Sequence, residues 1–178
     1  LLEELSGVEV KLNFEEHTAD SLKNIINMLY SKQRLIMMAF ETEEAFMDDG
    51  FAEDLNKPEI KDLEGLKEAL EELGTDRCPG VQIDFNEKTF TFKLHSANLK
   101  PERIKAFQDL CILIANYART LSRASYKQAQ DDNPKYALRT WLIRIGMNGP
   151  EYKETRKTLL KHLEGSGAFR KVDEYDET

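Results

Sequence analysis

Three short stretches of alternating apolar and polar residues predict β-strands. The first places polar residues between the apolar side chains of Val8, Val10, Leu12 and Phe14. Two more alternating runs, 81–85 and 90–94, flank the polar loop 86–89. A period of two is typical of a strand with one buried face, and two such runs around a short loop predict a hairpin near 81–94. The sequence therefore predicts a small antiparallel sheet of about three strands.

Apolar residues spaced three and four apart predict five to six helices. The strongest such pattern runs from Pro101 to Lys127, and its main apolar face carries Ile104, Phe107, Cys111, Ile114, Ala118 and Leu121. Further apolar side chains lie on the other sides of its middle turns. A helix of this kind must be covered on more than one face, so we expect Pro101–Lys127 to be the central helix.

The remaining helices are predicted from weaker patterns. Thr18 caps one helix that extends to Leu29, and Ser31 restarts a shorter one. Another covers about Asp62–Leu73, and we expect the segment 41–61 to be mostly loop. After the break at Asn133-Pro134 come two more helices, and the second begins with a possible capping box at Asn148 and Glu151.

These elements predict an α+β fold in which helices cover the apolar face of the small sheet. The 178 residues are enough for a single domain with a true core, which we expect to span 1–171. Phe169 would be its last apolar anchor, and 172–178 would form a disordered acidic tail. The chain begins at Leu1 without a methionine, so we expect an N-terminal piece to be missing.

The net charge of −8 is unevenly distributed. Residues 1–99 carry ten basic and twenty-two acidic residues, whereas residues 100–171 carry fifteen basic and seven acidic ones, and the last seven residues add four acids. Such a division hints at a cationic binding face on an otherwise acidic protein.

Basic residues recur every four positions in the C-terminal half. Arg119, Arg123 and Lys127 do so on the predicted central helix, and Lys153, Lys157 and Lys161 on the last helix. The surface that we predict to contact phosphates comprises Arg139, Arg144, Lys153, Arg156, Lys157 and Lys161, with Arg170 and Lys171 adding charge. A solvated helix face, whose lysines pair with nearby acids, is the more common origin of such a stripe.

Catalytic and metal chemistry have little support in the sequence. The three histidines, His17, His95 and His162, have no partners at ligand spacing, although His17 and His95 both follow a predicted strand and could share a sheet edge. Adjacent carboxylates such as Asp48-Asp49 point apart. No phosphate-binding glycine loop or GxSxG motif is present, so we expect no cofactor and no metal.

The expected compartment is the cytoplasm. Cys78 and Cys111 lie far apart in the sequence, which favours reduced thiols over a disulfide. The apolar run 111–115 is too short to cross a bilayer, and no signal peptide is evident, so no membrane association is expected.

Two segments carry a resemblance to a known family. They are KYALRTWLIRIGMNGPEYKETRKTLLKHLEGSGAFR (135–170) and SLKNIINMLYSKQRLI (21–36). Together they make the chain, from about Val8 to Arg170, resemble an uncharacterised family of Gram-positive bacterial proteins. Its members are often encoded on prophage-like or integrative elements and are loosely labelled "virulence-related protein". The resemblance implies an accessory protein of mobile DNA, and it supplies no catalytic residues.

Two classes of function therefore remain open. The first is a non-enzymatic binding or regulatory module that contacts nucleic acid or a protein partner through its basic C-terminal helices. The second is an enzyme whose site is completed by a missing N-terminal segment or by a second subunit, and a homodimer is compatible with either. A pocket where His17, His95 or acidic groups converge would favour the enzyme.

Overall fold

The structure, a computed structural model, describes residues 7–96, 99–129 and 132–165. Its three strands are β1 (Gly7–Asn13), β2 (Val81–Asp84) and β3 (Thr89–His95). Its helices are α1 (Ala19–Phe40), α2 (Phe51–Asn56), α3 (Leu63–Leu73), α4 (Pro101–Ala118), α5 (Pro134–Arg144) and α6 (Lys153–Leu160). The predicted α+β fold is confirmed. The expectations for Phe169, Arg170, Lys171 and the tail 172–178 fall outside the described residues.

The three strands form one antiparallel sheet in the order β1-β3-β2. Its register places Val10 opposite Phe92 on one side and Val81 opposite Phe92 on the other. Since side chains alternate along a strand, the buried apolar residues share one face and Glu9, Thr91 and their neighbours share the other. The buried face belongs to the same core as the apolar sides of α1 and α4. The sheet and its hairpin are therefore confirmed.

Helix α1 occupies the centre of the molecule. It contacts each of the other five helices, and fifteen of its 22 residues are buried. Thr18 caps it as predicted, because the Thr18 side chain accepts a hydrogen bond from the backbone of Ser21. The predicted restart at Ser31 is wrong: the helix continues through Ser31, whose hydroxyl donates to the backbone oxygen of Lys127.

The predicted long helix Pro101–Lys127 is also wrong in its second half. Helix α4 ends at Ala118, and the chain then runs without helix or strand through residues 121–129. The first half agrees with the prediction, since Ile114 is completely buried. The helix nevertheless stops short because residues of the 121–129 segment hydrogen-bond to α1 in place of continuing the helical pattern.

Polar side chains on the buried side of α1 hold this segment in place. Asn24 donates to the backbone oxygens of Ala118 and Leu121, at 3.1 and 3.0 Å, and accepts from the backbone of Ala124 at 2.9 Å. Asn27 donates to the backbone oxygen of the same Ala124 at 3.2 Å. Ala124 is the buried residue of this segment, and these contacts pair backbone groups around it that an irregular segment would otherwise leave without partners.

The contacts continue one helical turn further along α1. The Ser31 hydroxyl donates to the oxygen of Lys127 at 2.5 Å, and its backbone oxygen accepts from Ala129 at 3.0 Å. Positions 24, 27 and 31 are spaced three and four apart, so they lie on one stripe of the helix. We call Asn24, Asn27 and Ser31 the polar stripe.

The shorter helices differ from the sequence predictions in detail. The segment 41–61, predicted as loop, contains α2, which buries Phe51 and Leu55. Helix α5 begins at Pro134 behind an Asn133 cap and buries Leu138, Trp141 and Leu142, as its apolar spacing indicates. The capping box predicted at Asn148 and Glu151 does not form, because Gly149 occupies the capping position of a short 3-10 turn before α6.

One charged residue lies inside the fold. Arg103 of α4 has only 5% of its surface exposed and donates to the Glu41 carboxylate at 2.9 Å. This hydrogen bond is the main reason why the pKa of Glu41 is lowered, and the Arg103 guanidinium also lies over the ring of Phe40. His162 contacts the same Glu41 oxygen at 3.0 Å. The cluster ties the end of α1 to α4 and to the chain after α6.

The polar stripe yields a stability prediction. Replacing Asn24 by Ala removes three hydrogen bonds and leaves backbone groups of Ala118, Leu121 and Ala124 without these partners. The free energy of unfolding should fall by about 3 kcal/mol, measured by chemical denaturation. The exposed Asn148, which has no hydrogen bond to described residues, supplies the matched control N148A, expected to change it by less than about 0.5 kcal/mol. Equal effects of the two substitutions would contradict the role of the stripe.

Candidate anion-binding cleft

A cleft of about 510 Å³ lies between α1, the 121–129 segment and α5. Three cationic side chains line it: Lys32 from α1, Lys127 from the segment and Arg144 from α5. Its other lining residues include Ser125, Gln128, Asp132, Tyr136, Thr140 and Trp141. Each wall comes from a different part of the chain, so the cleft exists only in the folded protein.

Local geometry explains how these side chains come together. Lys32 follows Ser31 directly, and Ser31 holds Lys127 through its hydroxyl, so the two lysines are carried by hydrogen-bonded backbone. On α5, the cleft is lined by Tyr136, Thr140 and Arg144. Their four-residue spacing places them along one side of that helix.

The electrostatics of the cleft favour an anion. The pKa of Lys32 is lowered, first because the side chain is partly buried and second because Arg144 lies nearby. Within the described ranges, Lys32, Lys127 and Arg144 form no ion pair. Asp132 supplies the single carboxylate among the described lining residues. Neighbouring cations without paired acids raise each other's energy, and a bound anion would lower it.

The six basic residues predicted from the sequence take different environments. Arg144 lines the cleft, and Arg156 uses one guanidinium nitrogen to donate to the backbone oxygens of Met147 and Gly149, each at 3.1 Å. Lys161 is exposed, and its charge lies close enough to Glu41 to help lower the pKa of that carboxyl. The other three predicted residues are exposed: Arg139, Lys153 and Lys157. A role for these residues in binding stays a prediction.

The first basic stripe does not exist as predicted, because α4 ends before it. Arg119 pairs with Glu16, Arg123 is exposed, and Lys127 enters the cleft. Sequence reasoning missed Lys32 altogether. The sequence carries no signal for it, because the burial of its polar neighbours Ser31 and Gln33 is visible only in the structure.

His17 and His95, which could have shared a sheet edge, lie at opposite ends of β1. His95 pairs with Gly7 at the start of β1, whereas His17 follows the end of β1 and packs edge-on against Phe90. The His17 ring is 2.9 Å from the Ser21 hydroxyl, but Ser21 is already engaged in the cap of α1. Burial lowers the pKa of His17. These contacts describe a helix cap rather than a catalytic pair.

Thiol and metal chemistry receive no support from the described part of the chain. Cys78 and Cys111 are free and buried, and burial raises the pKa of Cys78 to about 12 and that of Cys111 well above its usual value. Thiols of this kind hold their protons at neutral pH and are poor nucleophiles. Among residues 7–96, 99–129 and 132–165, no three His, Cys, Asp or Glu side chains are placed to hold a metal ion.

Within those same ranges, no helix is both long and apolar enough to cross a bilayer. Comparison of the chain with protein-family models, with curated proteins and with solved structures finds no match. The resemblance to proteins of mobile elements therefore stays a prediction.

Repulsion between Lys32 and Arg144 should be measurable as a change in the thermal midpoint of unfolding. Replacing Lys32 by Met removes a partly buried charge that lies near Arg144, so the thermal midpoint should rise at neutral pH. The advantage over wild type should shrink as pH increases, because the lowered pKa lets the wild type lose this proton earlier than the unfolded chain does. The control K153M, on the exposed side of α6, should leave the midpoint nearly unchanged. A lower midpoint for K32M would contradict the expected repulsion between Lys32 and Arg144.

Proposed function

We propose that this protein is a non-enzymatic binding module that holds the phosphates of a nucleic acid in the cleft between α1, the 121–129 segment and α5. The observation that carries the proposal is the partly buried Lys32 beside Arg144, with no carboxylate paired to either among the described residues. Phosphate oxygens are the acceptors that such cations contact most often in nucleic-acid complexes.

The charge distribution of the chain supports the same proposal. The protein is acidic, with a net charge of −8, so nonspecific attraction of polyanions is weak and a ligand must find a local basic site. Lys127 and Arg144 belong to the basic half, and Lys32 adds a cation from the acidic half. A binding accessory of mobile DNA, which the sequence resemblance implies, would fit this role. No observation on the described residues favours the enzyme.

Charge reversal tests the proposal. We expect K32E/R144E to weaken the binding of short fluorescent oligonucleotides by about tenfold or more, measured by anisotropy. Cations that neutralise phosphates also release counterions, so the slope of log K against log salt should become shallower by about 0.7–0.9 for each phosphate that the variant no longer neutralises. Thermal midpoints of both proteins would show that the variant is folded.

The matched control is K153E/K157E, which reverses two exposed charges on α6 and changes the net charge by the same amount. It should weaken binding far less than K32E/R144E. If the α6 variant abolished binding and the cleft variant did not, the stripe predicted from the sequence would be the interface instead. Wild-type protein that binds no oligonucleotide at low salt would refute the proposed function.

A further inference from the structure

We infer that the cleft accommodates an unpaired nucleotide of a single strand rather than the backbone of an intact duplex. This inference rests on the proposed function and specifies its ligand. The phosphate would contact Lys32 and Arg144, and the base would enter the cleft beside Tyr136.

The shape of the site is the first reason. The cations lie on the walls of a concave space of about 510 Å³, a size that suits a single small-molecule unit. A duplex keeps its bases stacked inside and offers only phosphates and groove edges to a protein. A single strand can turn one base out of the stack and place it in a cleft of this size.

The aromatic lining is the second reason. Tyr136 contributes a half-buried ring to the α5 wall, and Trp141, which is buried, lies behind it one helical turn and one residue further along. Proteins that bind single strands combine cations for the backbone with aromatic rings on which bases stack. Lys127 adds a third cation at the same cleft, so both components of such a site are present.

The third reason is a set of polar side chains in the cleft that form no hydrogen bond among the described residues. The side chains of Gln128, Tyr136 and Thr140 form no hydrogen bond within the ranges that the structure describes, although neighbouring Ser31 and Ser125 do. An amide and two hydroxyls can each donate and accept, as the polar edge of a base requires. A duplex, whose bases are paired, would leave these groups unused.

The experiment compares one oligonucleotide sequence as a single strand and as a duplex, with wild type, K32E and Y136L. Wild type should prefer the single strand. Y136L should weaken single-strand binding by about tenfold, the factor that removal of one base stack typically represents, and leave duplex binding unchanged. The control Y126L alters a half-buried tyrosine of the 121–129 segment that does not line the cleft, and should match wild type.

Three results would overturn the inference, and they are separable from failure of the proposed function. The first is equal wild-type affinity for the single strand and the duplex, with K32E lowering the affinity for each. This result would keep phosphate binding in the cleft but remove the single-strand preference. The second is normal single-strand binding by Y136L when its thermal midpoint shows a folded protein. The third is a free 5′-mononucleotide that competes as strongly as the oligonucleotide, which would identify a small-molecule site. If the wild-type protein bound neither the single strand nor the duplex, the proposed function itself would be refuted.

Discussion

The structure depends on the hydrogen bonds between the polar stripe of α1 and the backbone of residues 118–129. Asn24, Asn27 and Ser31 occupy the buried side of the most central helix, where three apolar residues would be the ordinary choice. They are tolerated there because each hydrogen-bonds backbone that is not paired in a helix or strand, and Asn27 also exchanges hydrogen bonds with the Asn56 side chain. Burying these polar groups would be costly if the segment moved away, so the helix and the segment specify each other.

The cleft is a consequence of this arrangement. If α4 had continued to Lys127, that residue would lie on the surface of a helix and no segment would run beside α1. Because α4 ends at Ala118, the 121–129 segment can line one wall of the cleft through Ser125 and residues 127–129, and α5 closes the opposite side. The segment thereby brings Lys127 to the same space as Lys32 and Arg144. The protein holds like charges in proximity there, which costs stability in the free state and favours an anionic ligand.

The sequence predicted those parts of the fold in which local pattern and tertiary packing agree. The alternation in 8–14 and 81–94 revealed the sheet, and apolar spacing revealed α1, α3, α4 and α5. It failed at residues 119–127, where apolar spacing continues and neither glycine nor proline marks an end, because the helix is stopped by side chains nearly one hundred residues away. The sequence did not predict the cleft for the same reason. Of its three cations only Arg144 was part of the predicted binding surface, whereas Lys32 and Lys127 are brought together by the hydrogen bond between Ser31 and the backbone of Lys127.

If the polar stripe positions the 121–129 segment, the cleft that this segment forms with α1 and α5 should bind phosphate. Residue-resolved NMR of the full chain, titrated with a short single strand, tests it most directly. We expect the largest amide shifts at residues 31–32, 127–129 and 140–144, with little change along α6. Shifts concentrated at residues 153–161, or shifts absent from all three cleft walls while the strand binds, would contradict the claim.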